Sequence, residues 1–265
     1  METLTGQAGD NVWRGVYVRD LLREVIGREM KVRYRRSVLG VVWSLLNPLA
    51  HLLVLVFVFQ RVTPLNIPDY PLFVFIGVLA WGWFSGALPA ATTSITGNRE
   101  LIRQPGFPTA ILPAVPILSG LVHFLIAMSL VLVAVVLVGR TVSITVLALP
   151  LVVALQFLVT LSVGYLTATA QVRFRDTGYL VGVALLLGFF LTPVFYRPGS
   201  LPARYQTLYL ANPMAHVINA YRDVLIGAHW PDLPALVAVA AVSSVVLVLG
   251  HRMFTRASVD FVEET

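Results

Sequence analysis

The sequence predicts an all-α integral membrane protein: six transmembrane helices preceded by an N-terminal amphipathic interfacial helix, with short re-entrant or interfacial helices between spans five and six. Three observations predict it. The chain is 57% apolar and 12% charged, against about 25% charged residues in a soluble domain. Its apolar residues gather into continuous runs long enough to cross a hydrocarbon core. Its basic residues flank those runs and build no soluble lobe. A net charge of +6 would suit nucleic acid, but no polar stretch is long enough for a nucleic-acid-binding fold. Membrane lipid is the expected partner, and no nucleic acid.

The elements follow in order. Residues 1–13 are polar, lack the apolar segment of a cleaved signal, and read as an N-terminal tail. Residues 14–36 read as the interfacial helix. Val18, Leu21, Leu22, Val25 and Ile26 recur at helical spacing, with Arg19, Arg23 and Arg28 elsewhere on the wheel. In "GREMKVRYRRSVLGVVWSLLNP", residues 27–48, five cations lead without a linker into an uncharged apolar run. Such a helix lies in the headgroup layer.

Six spans are expected within a membrane domain of residues 38–250, at 38–59, 70–95, 110–138, 144–170, 179–196 and 233–250. Uninterrupted apolar runs of this length mean helices, because barrel strands alternate over about ten residues. Residues 251–265 are expected to form a cytoplasmic tail, and the whole chain 1–265 a single domain.

Orientation follows the arginines. With the N-terminus inside, the inner segments carry the basic residues up to Arg36 together with Arg99, Arg103, Arg173, Arg175, Arg252 and Arg256. The outer segments carry Arg61, Arg140, Arg197, Arg204 and Arg222. Both termini are therefore expected in the cytoplasm. No Asp, Glu, Lys or Arg falls within a predicted span. Intramembrane charges mark proton relays and ion pathways, so ion-coupled transport is not expected.

Motif chemistry is sparse. The chain has no cysteine, which removes disulfides, thiolate metal sites and cysteine nucleophiles. Its one lysine, Lys31, sits in "GREMKV", where Met30 occupies the place of the glycine that a phosphate-binding G-K-[ST] loop requires. Neither H-E-x-x-H nor G-x-S-x-G occurs, and His51, His123, His216 and His229 are scattered. No catalytic residue, metal or chain-bound cofactor is expected. Trp81 lies about 16 Å along the second span from Tyr70, near the bilayer middle and away from the aromatic belt. Trp81, Trp83 and Phe84 therefore either pack between helices or face a path whose aromatic walls suit sugar rings. Asn47, His51 and Gln156 read as polar contacts between helices. Two compact inner connections, 97–113 and 171–178, are basic by topology and offer a surface for a cytosolic partner. The long outer connection 197–231 contains "NPMAHVINAYRDVLIG", whose Met214, Val217, Ile218, Tyr221, Val224 and Leu225 recur at helical spacing.

Four ordered stretches together resemble one family, the permease subunits of ABC-2-type polysaccharide exporters, which move O-antigen, capsular glycan or teichoic acid. They are "MKVRYRRSVLGVVWSLLNPL", "NRELIRQPGFPTAILP", "RFRD" followed by "FLTPVFY", and "NPMAHVINAYRDVL". The likeness spans nearly the whole chain. It departs from the family after Arg103, where a further basic residue is usual and Gln104, Pro105 and Gly106 stand instead.

The resemblance implies a half-transporter in the bacterial inner membrane. Two copies would pair as a homodimer with two separate ATPase subunits, which would supply ATP and Mg. Arg33, Arg35 and Arg36 would recruit the headgroup of a lipid-linked polysaccharide. Asn98, Arg99, Glu100, Arg103, Arg173, Arg175 and Asp176 would couple to the ATPase. Trp81, Trp83, Phe84, Phe195 and Tyr196 would line the glycan channel, with Pro48 and Pro193 kinking the helices of a lateral gate. Asn212, Pro213, Tyr221, Arg222 and Asp223 would form the outer gate. Three alternatives remain at this point. One is an ABC-2 permease for a small amphiphile, and another a self-contained channel that needs no ATP. The third is a membrane enzyme, whose acidic candidates Asp176, Asp223 and Asp232 are split between the two sides.

Overall fold

Proline sets the start of most of the long helices. In the structure, a computed structural model that describes residues 20–27, 42–104, 107–140, 143–200, 204 and 206–257, ten α-helices follow in chain order. They are α1 (20–27), α2 (Val42–Phe57), α3 (Tyr70–Thr92), α4 (Arg99–Ile102), α5 (Ala114–Leu137), α6 (Leu149–Arg173), α7 (Thr177–Leu191), α8 (Gln206–Leu210), α9 (Pro213–Arg222) and α10 (Leu233–Ala257). Pro71, Pro150 and Pro213 occupy the first or second position of α3, α6 and α9. Pro234 does the same in α10. A first-turn proline forfeits only an N–H that has no helical partner, and its fixed φ is already helical. Asn212 adds a side-chain cap, accepting the Met214 N–H at 3.0 Å.

Helix α1 is the described part of the expected interfacial helix. Its Leu21, Leu22, Val25 and Ile26 are half-buried while Arg23 and Glu24 are exposed.

Helix α3 is the central pillar. Of its membrane-crossing segment 78% is buried, whereas none of the Leu45–Val62 segment is. Around α3 stand α2, α5, α6, α7 and α9, and α10 packs on α6 from outside. Polar side chains tie the apolar helices together. Gln156 of α6 donates to the Ala80 carbonyl at 2.7 Å, and Thr92 of α3 donates to Thr167 of α6 at 2.8 Å. Such bonds hold helices where hydrophobic burial offers little, since lipid tails are as apolar as leucine.

Among the described residues, five helical segments are long and apolar enough to cross a membrane, and Thr177–Leu191 is a shorter apolar helix. The expected fifth span, 179–196, is therefore corrected: its helix stops at Leu191. Thr192 precedes a proline, whose ring clashes with a helical neighbour, and Thr192 accordingly takes φ −92° and ψ 141°. Pro193 is thus a terminator and not a kink inside a span. Pro48, by contrast, lies inside α2, and Pro89 lies inside α3. Other boundaries also move, and α3 ends at Thr92 instead of 95. Helix α6 runs on to Arg173 and α10 to Ala257, while a 3-10 turn, Thr109–Ile111, precedes α5.

The two ends of the bundle are closed differently. At the predicted outer end Arg140 pairs with Asp69 and donates to the Ile226 carbonyl at 2.8 Å. At the predicted inner end a small cluster of Ile95, Ile102, Leu112, Tyr165, Ala168 and Phe254 seats α4 against α6 and α10. There the Tyr165 hydroxyl donates to the Ala110 carbonyl at 2.5 Å.

Candidate functional site

A cavity of about 770 Å³ opens beside α3, within the range of small-ligand sites. Asn47, Pro48 and His51 of α2 border it, as do Pro116, Gly120 and His123 of α5 and Leu185, Leu186, Phe189 and Phe190 of α7. From α3 come Trp81, Gly82, Trp83, Ser85 and Gly86. Its walls combine aromatic rings with the polar side chains of Asn47, His51, Ser85 and His123, the mixture that suits a hydroxyl-bearing ring. Pro89 adds to this, because it has no N–H to offer the Ser85 carbonyl one turn back.

The five expected channel residues divide. Trp81 and Trp83 border the cavity, and Phe84 packs behind Trp81 with ring centroids 5.5 Å apart. Trp83 is also fixed in place: its indole N–H donates to the Ile117 carbonyl at 3.1 Å and its ring stacks on Phe124 at 4.9 Å. Gly120 makes room for it, since a Cβ there would stand 2.8 Å from Trp83 Cδ1. Phe195 and Tyr196 lie away from this cavity. Phe195 stacks on Phe59 at 5.1 Å and reaches Phe189 at 5.8 Å, and Phe189 meets Trp81 at 6.3 Å. A continuous aromatic ladder therefore joins Trp81 to the predicted outer end.

The expected outer-gate residues surround one buried cation. Arg222 is 6% exposed, and among the described residues no carboxylate forms an ion pair with it. Its Nη1 donates to the Pro193 carbonyl at 2.6 Å and its Nη2 to the Val194 carbonyl at 2.7 Å. Nε and Nη2 both reach the Phe73 carbonyl at 3.2 Å, and the guanidinium lies 3.5 Å from the centroid of the Phe73 ring. The guanidinium fork thus staples α9 to the start of α3 and to the segment after α7, with a cation–π contact beneath it. Burial pulls Arg222 down from the ordinary arginine range to about 9, so it remains a cation at neutral pH.

The backbone approach that permits the staple is set by Gly77. A Cβ there would stand 2.4 Å from the Val194 carbonyl oxygen and 2.8 Å from Arg222 Nη2. Two further bonds hold the same segment: Asn212 donates to Thr192 Oγ1 at 2.8 Å, and Tyr70 to the Phe195 carbonyl at 3.1 Å. Tyr221 is 0% exposed, in the core against Phe124, so it does not face an exit. Asp223 lies 3.6 Å from His229, and burial raises its carboxyl above the ordinary range while His229 opposes the rise.

At the other end the expected coupling residues stand out from the bundle. Arg99, Glu100, Arg103, Arg173, Arg175 and Asp176 are exposed and Asn98 is half-buried, donating to the Ser94 carbonyl at 2.8 Å. Ile102 at the end of α4 is buried at 6%. Arg173 ends α6 and does not belong to the loop. Arg33, Arg35 and Arg36 lie outside the described residues.

Gly77, Gln171, Tyr70 and Arg140 carry geometry that sequence reasoning did not single out. The partners of Gly77, Gln171 and Tyr70 here are backbone carbonyls, an amide N–H and close backbone approach, which leave no pattern in the chain. Arg140 with Asp69 was legible in part, as opposite charges on two predicted outer connections.

An aromatic cavity between apolar helices, a stapled segment at one end and a charged face at the other are the parts of a transport subunit. Residues 20–226 match the family model "ABC-2 type transporter", and the chain belongs to that family. Its relatives include the O-antigen export system permease protein RfbA of Myxococcus xanthus, 36% identical over 92% of this chain and 95% of the relative. A protein of the same name from Klebsiella pneumoniae is 30% identical over 78% of this chain and 81% of its own length. The polysialic acid transport protein KpsM of Escherichia coli is 25% identical over 86% and 89%.

Proposed function

We propose that this chain is the membrane-spanning half of an ATP-driven exporter that moves a lipid-linked polysaccharide from the cytoplasm across the inner membrane. It works as a homodimer with two separate ATPase subunits, which bind the ATP and Mg. The observation that carries this reading is the 36% identity to an O-antigen export permease along nearly the full length of both chains. A permease for a small amphiphile is the alternative, and the long outer connection with its stapled α9 favours the polymer.

In this reading both termini are cytoplasmic. The exposed inner residues Arg99, Glu100, Arg103, Arg173, Arg175 and Asp176, with Asn98 behind them, receive the ATPase. The aromatic cavity beside α3 takes the glycan, and α2 with α7 form the lateral opening. Asn212, Pro213, Arg222 and Asp223 hold the outer closure.

The reading is tested by purifying the tagged chain from its native membrane in mild detergent. A stoichiometric ATPase is expected to come with it, hydrolysing ATP at a rate that responds to lipid-linked glycan. A chain that transports unaided in liposomes, with no nucleotide dependence, would sink it.

Arg33, Arg35 and Arg36 supply the second prediction. Each cation at an anionic leaflet contributes about 1 kcal/mol of attraction, so the three together should concentrate a pyrophosphate headgroup at the opening. Replacing all three by glutamine is expected to abolish surface polymer while leaving the ATPase bound, read by immunoblot of polymer and of co-purified subunit. Normal surface polymer in that variant removes the headgroup role.

A further inference from the structure

Helix α7 is fastened at its two ends and packs along one narrow stripe between them, where Leu185 and Phe189 lie against the core and Gly188 lies beside Trp81. Of its residues only Val181 is buried, while Tyr179, Leu180, Val183, Leu186, Leu187 and Leu191 are exposed. Its outer end runs into the Arg222 staple described above. At its inner end the Thr177 hydroxyl closes the turn by donating to the Phe174 carbonyl at 2.7 Å, and Gln171 from the last turn of α6 ties that turn back to the bundle. Gln171 is 8% exposed; its Oε1 accepts the Gly178 N–H at 2.6 Å and its Nε2 donates to the Arg175 carbonyl at 3.0 Å. One amide thus spans the elbow between α6 and α7 and uses its donor and its acceptor within it. The elbow is also tucked against the turn that leads to α4, since a Cβ on Gly178 would meet Gln171 Oε1 at 3.3 Å and Thr93 Cγ2 at 3.9 Å.

These contacts have a mechanical consequence. A membrane helix with most of its surface exposed changes tilt at modest cost, because lipid replaces lipid along all but its one packed stripe. Where it goes is decided by its end attachments, in the way that hinge segments direct a domain. The residues between the two ends of the Gln171 clamp include Arg173, Arg175 and Asp176, which are exposed.

We infer that Gln171 is the positioning residue that converts a push on the 173–176 elbow into movement of α7, and through α7 into movement of the 192–196 segment held by Arg222. Without the clamp the elbow yields locally and α7 stays where it is. The inference rests on the reading that an ATPase engages this elbow, and it assigns to Gln171 the transmission of force, not the binding of that subunit.

The test compares wild-type complex with Gln171→Met, which keeps the side-chain volume and removes both hydrogen bonds, and with Gln171→Glu, which keeps the acceptor and loses the donor. Three quantities are read: ATPase retained on purification, ATP hydrolysed, and polymer delivered to the cell surface. In Gln171→Met the ATPase and its hydrolysis are expected to stay near wild type while polymer delivered per ATP falls about tenfold, the size of loss that coupling mutations produce. Gln171→Glu should fall between the two. Full export by Gln171→Met overturns the inference. So does a parallel fall in ATPase retention, hydrolysis and export, which would make Gln171 a docking or purely structural residue. Wild-type chain that purifies with no ATPase would instead overturn the reading on which the inference rests, and the two failures are told apart by the wild-type lane.

Discussion

Replacing Arg222 by methionine is expected to cost about 3–5 kcal/mol of stability, the range seen when one partner of a buried charged network is removed. The physical reason is what the substitution leaves behind. The Pro193 and Val194 carbonyls accept from Nη1 and Nη2 at 2.6 and 2.7 Å, in a segment where α7 has already ended. Neither has a helical N–H to turn to. A buried acceptor deprived of its partner costs about 1–3 kcal/mol, so these two alone account for most of the expected loss. The Phe73 carbonyl is less affected, because it sits inside α3 and keeps its ladder position.

Arg222→Lys separates charge from shape. An ammonium keeps the cation over the Phe73 ring but lacks the planar fork that reaches three carbonyls at once, so an intermediate loss is expected. Thermal unfolding of the detergent-purified complex measures both variants. Wild-type stability in Arg222→Met would mean that the 192–195 segment is held by Asn212 and Tyr70 alone. Because this staple joins α9 and α3 to the segment after α7, both variants should also release the closure proposed for this end, seen as faster leakage of a small solute through reconstituted complex without ATP.

The sequence made the helices legible and the staple nearly invisible, for one reason. Burial in lipid leaves a signal in composition, so α3, α5, α6 and α10 fall where continuous apolar runs put them. Backbone carbonyls have no letter in the sequence. Arg222 was therefore legible as an outer basic residue inside a recognisable "NAYRD", but not as a cation bound by three carbonyls. Pro193 shows the same limit from the other side. Val194, Phe195 and Tyr196 continue the apolar run, so hydropathy carries the fifth span through them. In the fold they leave the helix: Val194 and Phe195 pack against Phe59, Tyr70 and Arg222, while the Tyr196 hydroxyl turns back to the Leu191 carbonyl.

Depth and residue type picked out Trp81 and Trp83 but could not decide between wall and packing. The structure shows that Trp83 does both, with its indole N–H spent on Ile117 while its ring borders the cavity. Gly120, four residues before Phe124, was the available sequence signal, and it acquires meaning only once α5 is laid against α3. Gln171 was legible as part of a short basic loop and illegible as its clamp, for its partners are again an N–H and a carbonyl.

The glycines of α3 allow the conduit itself to be tested without disturbing the fold. Gly77 is closed by Val194 and Arg222, whereas an added Cβ at Gly82 or Gly86 meets nothing within 4 Å. Gly82 and Gly86 are exposed to the cavity of about 770 Å³, one turn apart and on either side of Ser85 and Trp83. An indole at position 86 can therefore be accommodated by the cavity and would occupy the space assigned to the glycan. Gly86→Trp is expected to assemble with its ATPase, to hydrolyse ATP and to deliver almost no polymer. Gly86→Ala should export normally and gain about 1 kcal/mol of stability, since alanine is the better helix former. Surface polymer, co-purified ATPase and the size of the detergent complex distinguish blockage from misassembly. Undiminished export by a well-assembled Gly86→Trp would place the polymer's path elsewhere, and the aromatic cavity would then be a packing feature between α2, α3, α5 and α7.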